Sequence, residues 1–483
     1  MEAREDTSLY DVIPYPGHAF AQTHPDRLAT LGALFGLHPA PPAACRVLEI
    51  GCGDGANLLP MAVELPGSSF VGIDSSAAAI GRAAAMAGEL DLPNVRFEQV
   101  AIEDYAPAAR SFDYVIAHGV FSWVPDSVRG QLLALCAHAL GDHGIAYVSY
   151  NALPGARVPQ TLRELLALKL EGIAEPAQQI AEARRLLALL SGANQQATLL
   201  GPEAAALLER PDSLLFHDAL APVNDPFLFQ DFAARAAAHD LQYLAEANFL
   251  EMQGGSLPAD LQLELAAGSD VVRQEQLLDY VRVRRFRQTL LCRAGIELDR
   301  GLRLERIAQF AVSSAARASP PSAENTRRVT FEGPGGSRMT TEHDAVAALL
   351  QRAGEAWPGA VWVADVLGDD PPRAAVDALC AAVIRCYGAN LVALHVHPPA
   401  PMACVSERPR ASPLARLQAR DQTIVTNLRH ATVPLDHELY RRLLMLLDGT
   451  RDRAALLAEL PEAEPERVDA SLERFARSSL LVA

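Results

Sequence analysis

A glycine-rich turn contains the first residues in this sequence whose types and spacing could support chemistry. Gly51, Gly53 and Gly55 follow the apolar run Arg46–Ile50, and a helical pattern begins directly after them. Glycine allows a backbone to turn tightly and to approach a ligand closely. Because ligands of parallel sheets bind at the carboxyl ends of strands, the turn predicts a loop that binds a nucleotide-like cofactor.

Two acidic residues flank this loop and narrow the choice of cofactor. The spacing from Gly51 to Ala56 also fits the fingerprint of dinucleotide-binding domains. Asp74, at the end of the second predicted strand, suits the ribose diol of either cofactor and could also cap the next helix. A carboxylate at Glu49, just before the first glycine, would oppose a pyrophosphate but would suit the ammonium of S-adenosylmethionine. The sequence therefore favours S-adenosylmethionine over a nicotinamide dinucleotide.

Further cofactor contacts are predicted within the loop and at the ends of the following strands. We expect them to supply a side-chain amide, backbone groups and an apolar wall for the adenine. The residues predicted to make these contacts are Asn57, Ser75, Ala101, Ile102 and His118.

Alternating apolar runs and helical patterns define the elements that must position these residues. Helical periodicity occurs near 56–65, 76–90 and 127–140, between runs that carry β-branched or aromatic residues. This alternation is typical of a parallel sheet with crossover helices. The predicted strands are Arg46–Ile50, Ser69–Asp74, Val95–Gln99, Asp113–His118 and Ile145–Tyr150. The predicted fold class is therefore α/β, a doubly wound, mostly parallel Rossmann-like sheet, which residues 241–246 and about 286–293 would complete to seven strands.

The sequence also predicts four regions along the chain. Residues 1–156 would form the cofactor-binding catalytic domain, and the Ala/Leu/Glu-rich residues 157–315 a helical regulatory region. The Pro/Gly/Ser-rich stretch 316–340 is predicted to be an exposed linker. Alternating helix and strand patterns predict a winged-helix-like domain over residues 341–483.

Composition argues against several classes of function. The formal net charge of −17 disfavours a phosphate backbone, so we expect no nucleic-acid partner, whereas a basic protein would be attracted. We expect no membrane insertion, because no run of about 18 apolar residues is present. The seven scattered cysteines form no CxxC pair, which predicts reduced thiols, a cytoplasmic protein and no metal site. Lys169 is the only lysine in the chain.

Several longer motifs resemble those of a known family. The glycine loop is extended on both sides, an HGVFSWVP block follows the fourth predicted strand, and further matches lie near the C-terminus. Together they resemble bacterial class I S-adenosylmethionine-dependent methyltransferases that carry a methyltransferase regulatory domain, such as the rickettsial outer-membrane-protein lysine methyltransferases. The motifs are Tyr10–Pro16, Thr23–Leu28, Leu48–Asn57, Asp113–Pro125, Ser149–Gly155, Arg285–Leu291, Val425–His430 and Leu447–Arg451.

The resemblance implies methyl transfer from S-adenosylmethionine to accessible lysine side chains of a protein partner. A lysine amine must be neutral to react, and a dry aromatic pocket favours the neutral form. His118 could take the proton or hydrogen-bond the cofactor. The predicted catalytic residues are His118, Tyr10, Tyr15 and Trp123. The predicted substrate channel comprises Phe121, Ser122, Trp123, Tyr150 and Asn151.

Two other functions are compatible with the same residues. One is a methyltransferase that acts on a small molecule, and the other is a non-catalytic regulatory protein that binds S-adenosylmethionine. The intact glycine loop and HGVFSWVP block argue against loss of catalysis. Structural roles are also open for His118, for Trp123 as a core anchor and for Asn151 as a turn cap.

Overall fold

The structure is a computed structural model in which most of the chain is described. None of its helices, over the residues described, combines the length and the hydropathy needed to span a bilayer. The side chain of residue 266 is outside the description. The described residues are 13, 15–193, 198–253, 257–267, 270–319, 328–367, 371–401 and 404–482.

A seven-stranded sheet forms the centre of the fold, as the sequence predicts. Its strand order is β3-β2-β1-β4-β5-β7-β6, in which β1 to β5 are parallel and β7 pairs antiparallel with both β5 and β6. The two late runs therefore return to complete the sheet. The strands are β1 (Arg46–Ile50), β2 (Ser69–Asp74), β3 (Val95–Gln99), β4 (Phe112–Ala117), β5 (Leu140–Asn151), β6 (Leu241–Glu246) and β7 (Phe286–Arg293).

Side-chain caps begin two of the four α-helices described before β5. His24 accepts a hydrogen bond from the Asp26 N–H at the start of the first helix, which has Pro25 as its first residue. The Ser76 hydroxyl accepts from the Ala79 N–H in the same way. These helices are α1 (Pro25–Leu34), α2 (Leu58–Glu64), α3 (Ala77–Glu89) and α4 (Asp126–Ala139).

The chain between β5 and β7 is mainly helical, apart from β6. Leu162 and Leu166, one helical turn apart, face Ile180 and Leu187 of the next helix in a separate apolar core. The helices are α5 (Arg157–Leu170), α6 (Pro176–Ser191), α7 (Gly201–Leu208), α8 (Phe229–Ala237), α9 (Ala259–Ala266) and α10 (Val271–Arg282).

The predicted linker 316–340 is not an exposed linker throughout, which corrects that expectation. Three of its segments pair as a small antiparallel sheet, and Phe331 is only 1% exposed. Short strands with one apolar anchor can pack despite a Pro/Gly/Ser-rich composition. Residues 320–327 lie outside the described part of the chain. The three strands are β9 (Arg317–Ala318), β10 (Val329–Glu332) and β11 (Arg338–Thr341), and they follow β8 (Ala311–Ser313), which belongs to a different sheet.

Residues 344–395 also differ from the predicted winged-helix-like region, because they share a core with the central sheet. Leu349, Leu379 and Tyr387 belong to the same buried cluster as Val47 and Tyr114 of the sheet. The elements are α11 (Asp344–Ala356), β12 (Val361–Trp362), α12 (Arg373–Gly388) and β13 (Ala393–His395).

The last part of the chain has its own core and the helix-and-hairpin composition of a winged-helix domain. Val425 of the hairpin packs with Leu443, Leu472 and Phe475 of the helices. The helices are α13 (Pro413–Gln418), α14 (Glu438–Leu446), α15 (Arg453–Glu459) and α16 (Pro465–Arg477), and the hairpin strands are β14 (Ile424–Thr426) and β15 (Thr432–Pro434).

A buried ion-pair cluster fastens α10 to the returning strands. The guanidinium of Arg287, which has no exposed surface, donates to Glu246 at 2.6 Å, Glu275 at 3.0 Å and Asp279 at 2.9 Å. It also lies 3.8 Å from the ring centroid of Phe229. Burial raises the pKa of Glu275 and Asp279, and Arg287 opposes this rise. Removing the arginine would leave three buried carboxyl groups without their main counter-charge.

We expect Arg287→Leu to lower the free energy of unfolding by about 3–5 kcal/mol, as for other broken buried ion pairs. The control is Arg285→Leu on the same chain segment, where the side chain is 59% exposed and bonds Glu203 at 2.7 Å. Exposed pairs are worth about 0–1 kcal/mol, so this variant should stay near wild type. Guanidinium unfolding curves compare the two, and equal midpoint shifts would contradict a structural role for the cluster.

Candidate active site

The glycine loop joins β1 to α2 through backbone conformations that favour glycine. Gly51 has a φ of 71°, and a Cβ added there would lie 2.7 Å from Cγ2 of Val120. Gly53 has a φ of 54°, but no atom lies within 4 Å of its added Cβ. The loop is therefore packed on one side and open at Gly53, which is the arrangement a bound ligand requires.

Asp74 fixes the position of this loop against the end of β2. One carboxylate oxygen accepts from the Gly53 N–H at 2.9 Å, and the other accepts from the Ser76 N–H at 2.9 Å. Asp74 therefore links the glycine loop to the start of α3 at the carboxyl end of β2.

Glu49 is a nearly buried carboxyl group with one oxygen unsatisfied. It is 4% exposed, and its Oε1 accepts from Nδ2 of Asn57 at 2.7 Å. Its Oε2 has no hydrogen-bond partner among the residues described. Burial raises the pKa of Glu49 from 4.5 to about 8, the Asn57 hydrogen bond lowers it, and the charges of Asp74 and Asp54 raise it further. An unpaired buried acceptor of this kind fits a cationic donor such as an ammonium group.

The amide of Asn57 is engaged by protein groups on both sides. Its Oδ1 accepts from the Phe20 N–H at 2.8 Å and faces Nε2 of His430 at 2.8 Å. Its Nδ2 donates to Glu49 and, at 3.0 Å, to the Thr23 hydroxyl. Asn57, predicted as a cofactor contact, thus holds the carboxylate that faces the ligand.

His118 follows β4 and is held in its neutral form. Its Nδ1 lies 2.9 Å from the Tyr147 hydroxyl and 3.4 Å from that of Ser149. Burial lowers the pKa of His118 to about 4. A general base is most effective when its pKa is near the working pH, so this geometry disfavours the expectation that His118 takes a proton at neutral pH.

Two phenylalanine rings that were not among the predicted residues lie beside His118. The Phe20 ring centroid is 3.7 Å from that of His118, and the Phe286 centroid is 6.1 Å away. Phe286 is 37% exposed and opposes Asn151 at the carboxyl end of β5. Phe286 lies in the motif Arg285–Leu291 and at the start of a returning strand, whereas Phe20 had no signal in the sequence.

Phe121, Ser122 and Tyr150 are corrections to the predicted substrate channel, because none has any exposed surface. Both rings pack in an aromatic core with Phe227 and Phe232, in which Tyr150 stacks 4.2 Å from Phe232. The Ser122 hydroxyl accepts from the Asn151 N–H at 2.9 Å. These contacts stabilise the chain after β4 and leave no surface for a substrate.

The other residues predicted for catalysis, the substrate channel or cofactor contact keep those roles as predictions. Trp123 and Asn151 are half-buried, and Asn151 donates to Oδ1 of Asn224 at 2.6 Å. Tyr15 is 40% exposed, with its ring 5.7 Å from that of His217. Ser75 is exposed and Ala101 and Ile102 are half-buried beyond β2 and β3, whereas Tyr10 lies outside the described residues.

The raised pKa of Glu49 predicts that cofactor binding releases a proton. Glu49 is largely protonated at pH 7, whereas pairing with an ammonium requires the carboxylate, so binding must expel the proton. Calorimetry of S-adenosylmethionine at pH 7, in buffers of different ionisation enthalpy, should give close to one proton released. Glu49→Gln should remove this release and weaken binding roughly tenfold or more.

Glu49 should also lower the stability of the ligand-free protein as the pH rises. The folded form holds a proton on Glu49 between pH 4.5 and about 8 that the unfolded chain has lost, so this residue costs stability as pH rises through that range. Ligand-free Glu49→Gln should therefore melt above wild type at pH 8.5, with no gain at pH 4. Glu171→Gln, at an exposed position, is the control. Unchanged proton release in Glu49→Gln would rule out this ammonium site.

Three family models match successive parts of the chain. A "Methyltransferase domain" covers residues 47–144, a "Predicted methyltransferase regulatory domain" covers 211–293, and a "PKMT, C-terminal winged helix domain" covers 407–479. The catalytic match contains the glycine loop, Glu49 and Asp74. The third match coincides with the separate C-terminal core rather than with the whole of 341–483.

Proteins similar to this chain occur in Rickettsia. Uncharacterized protein RP789 of Rickettsia prowazekii is 37% identical over 310 residues, 63% of this chain and 56% of that protein. The chain thus spans little more than half of that relative. Uncharacterized protein RP028 is 33% identical over 232 residues, 47% of this chain and 93% of that protein.

A solved structure matches nearly the whole chain. PKMT2 from Rickettsia typhi is 27% identical, with a TM-score of 0.84 over 97% of this chain and all of that chain. The same protein in complex with AdoHcy gives a TM-score of 0.83. Together with the loop, the buried carboxylate and the three family models, these likenesses show that the chain belongs to the S-adenosylmethionine-dependent class I methyltransferases that carry a methyltransferase regulatory domain and a C-terminal winged-helix domain.

Proposed function

We propose that this protein transfers methyl groups from S-adenosylmethionine to lysine side chains of a protein substrate. The observation that carries the proposal is the likeness to PKMT2 over 97% of the chain, which includes the regulatory and C-terminal regions as well as the catalytic domain. The abbreviation PKMT denotes a protein lysine methyltransferase. Regulatory and C-terminal regions of this size suit an enzyme that binds a large methyl acceptor.

Glu49 and Asp74 are the residues that would hold the cofactor. When bound, S-adenosylmethionine supplies a methyl group that its sulfonium has already activated. Glu49 would accept from the methionine ammonium with its free oxygen, and Asp74 would accept from the ribose hydroxyls. The protein then contributes mainly by orienting the reactants and excluding water.

On the acceptor side, the surroundings of His118 favour an uncharged amine. Phe20, Phe286 and a neutral His118 offer rings without a fixed charge, which lowers the pKa of a lysine that enters among them. Because His118 is a weak base, we propose that the lysine loses its proton to water before transfer. Tyr15 and Trp123 remain candidates for the entrance to this region.

Charge and cysteine chemistry support a basic protein partner and a cytoplasmic location. The net charge of −17 attracts segments rich in lysine and disfavours nucleic acid. Among the described cysteines, six are buried free thiols and Cys404 is exposed. Free thiols without disulfides suit a reducing compartment.

The acceptor can be identified by incubating the full chain with methyl-labelled S-adenosylmethionine and a bacterial lysate. We expect label in the protein fraction, recovered as methylated lysine after acid hydrolysis. Prior acetylation of lysate amines should abolish it, because an acetylated amine carries no free nucleophilic lone pair.

Lys169 provides a control for self-methylation, because it is the only lysine in the chain and is exposed on α5. A Lys169→Arg variant should label the lysate as wild type does. Label only in the small-molecule fraction would contradict the proposal and favour a small-molecule methyltransferase. Binding of the cofactor without any transfer would favour a regulatory protein.

A further inference from the structure

The hairpin β14–β15 of the C-terminal domain reaches the cofactor loop of the catalytic domain. His430 at its tip is 1% exposed and has a φ of 54°. Its Nε2 lies 2.8 Å from Oδ1 of Asn57, although the two residues are 373 positions apart in the chain. Neither the cofactor contacts nor the acceptor region described above accounts for this contact.

The hairpin tip is held in place by its own turn and by the C-terminal core. Oδ1 of Asn427 accepts from the N–H groups of Arg429 and Ala431, both at 2.9 Å. Nδ2 of Asn427 donates to the Ser478 carbonyl at 2.8 Å, just after α16. His430 therefore reaches the loop from a rigid turn that belongs to the C-terminal domain.

Arg429 adds a second attachment beside His430. Its guanidinium lies 3.9 Å from the ring centroid of Trp357, and its Nη2 is 3.4 Å from the Ser313 hydroxyl. Burial lowers the pKa of Arg429 to about 10. The tip is thus docked on the segment that shares a core with the central sheet, which places His430 at a fixed distance from Asn57.

Hydrogen-bond donors determine which way the Asn57 amide points. The Phe20 N–H can only donate, so the amide atom that faces it must be Oδ1. Nε2 of His430 must then donate to the same oxygen, and Nδ2 is left to face Glu49. The reversed amide would place its NH2 against the Phe20 N–H, which cannot accept a hydrogen bond.

We propose that His430 is a positioning residue for cofactor binding: it fixes the Asn57 amide, which holds Glu49 for the methionine ammonium. Docking of the C-terminal domain would then set the affinity of the catalytic domain for S-adenosylmethionine. This inference rests on the cofactor assignment and goes beyond the proposed choice of acceptor.

Two variants of His430 isolate the hydrogen bond from packing. His430→Met fills a similar volume without a donor, and His430→Gln keeps a side-chain N–H. Calorimetry of the full chain with S-adenosylhomocysteine should show affinity about tenfold weaker for His430→Met, the effect of one lost buried hydrogen bond, and near wild type for His430→Gln. Thr432→Ala, at an exposed position of the same hairpin, should bind as wild type does.

A cycle with Asn57→Ala separates positioning from general destabilisation. If His430 acts through Asn57, adding His430→Met to Asn57→Ala should cause no further loss of affinity. Equal affinity of the Met and Gln variants, or fully additive losses in the cycle, would overturn the proposal. These titrations contain no methyl acceptor, so their outcomes do not depend on whether the substrate is a protein lysine.

Discussion

A buried carboxyl group with one satisfied and one unsatisfied oxygen is the constraint on which the active site depends. Glu49 lies near the carboxyl end of β1, where burial raises its pKa to about 8 and Oε2 has no hydrogen-bond partner among the described residues. Such a group costs stability in the ligand-free protein. Burial of the Glu49 carboxylate becomes favourable when a cation pairs with Oε2. Cofactor binding should therefore stabilise the folded protein.

Long-range contacts hold this carboxylate in place. Asn57 bonds Glu49 from the loop, while Phe20 and His430 bond Asn57 from the start and the end of the described chain. The C-terminal domain is therefore part of the architecture of the cofactor site. The His430 side chain at its hairpin tip is buried against the catalytic domain, which removes that side chain from any surface open to other partners.

Local patterns in the sequence were sufficient for the sheet and for placing Glu49 and Asp74 beside the glycine loop, because strand periodicity and loop spacing are short-range properties. They failed where burial depends on distant segments. Phe121 and Tyr150 looked like channel residues, yet partners near 227–232 enclose them. The 316–340 stretch looked like a linker because short paired strands have weak composition signals. His430 was within a recognised motif, but its contact spans 373 residues and has no local signature.

The most direct test of the account is a crystal structure of the full chain with S-adenosylhomocysteine. We expect the ligand ammonium about 3 Å from Oε2 of Glu49, with Asn57 still bonded to Oε1 and to His430. An amino group bound away from Glu49, or a Glu49 side chain turned out of the loop, would contradict the account.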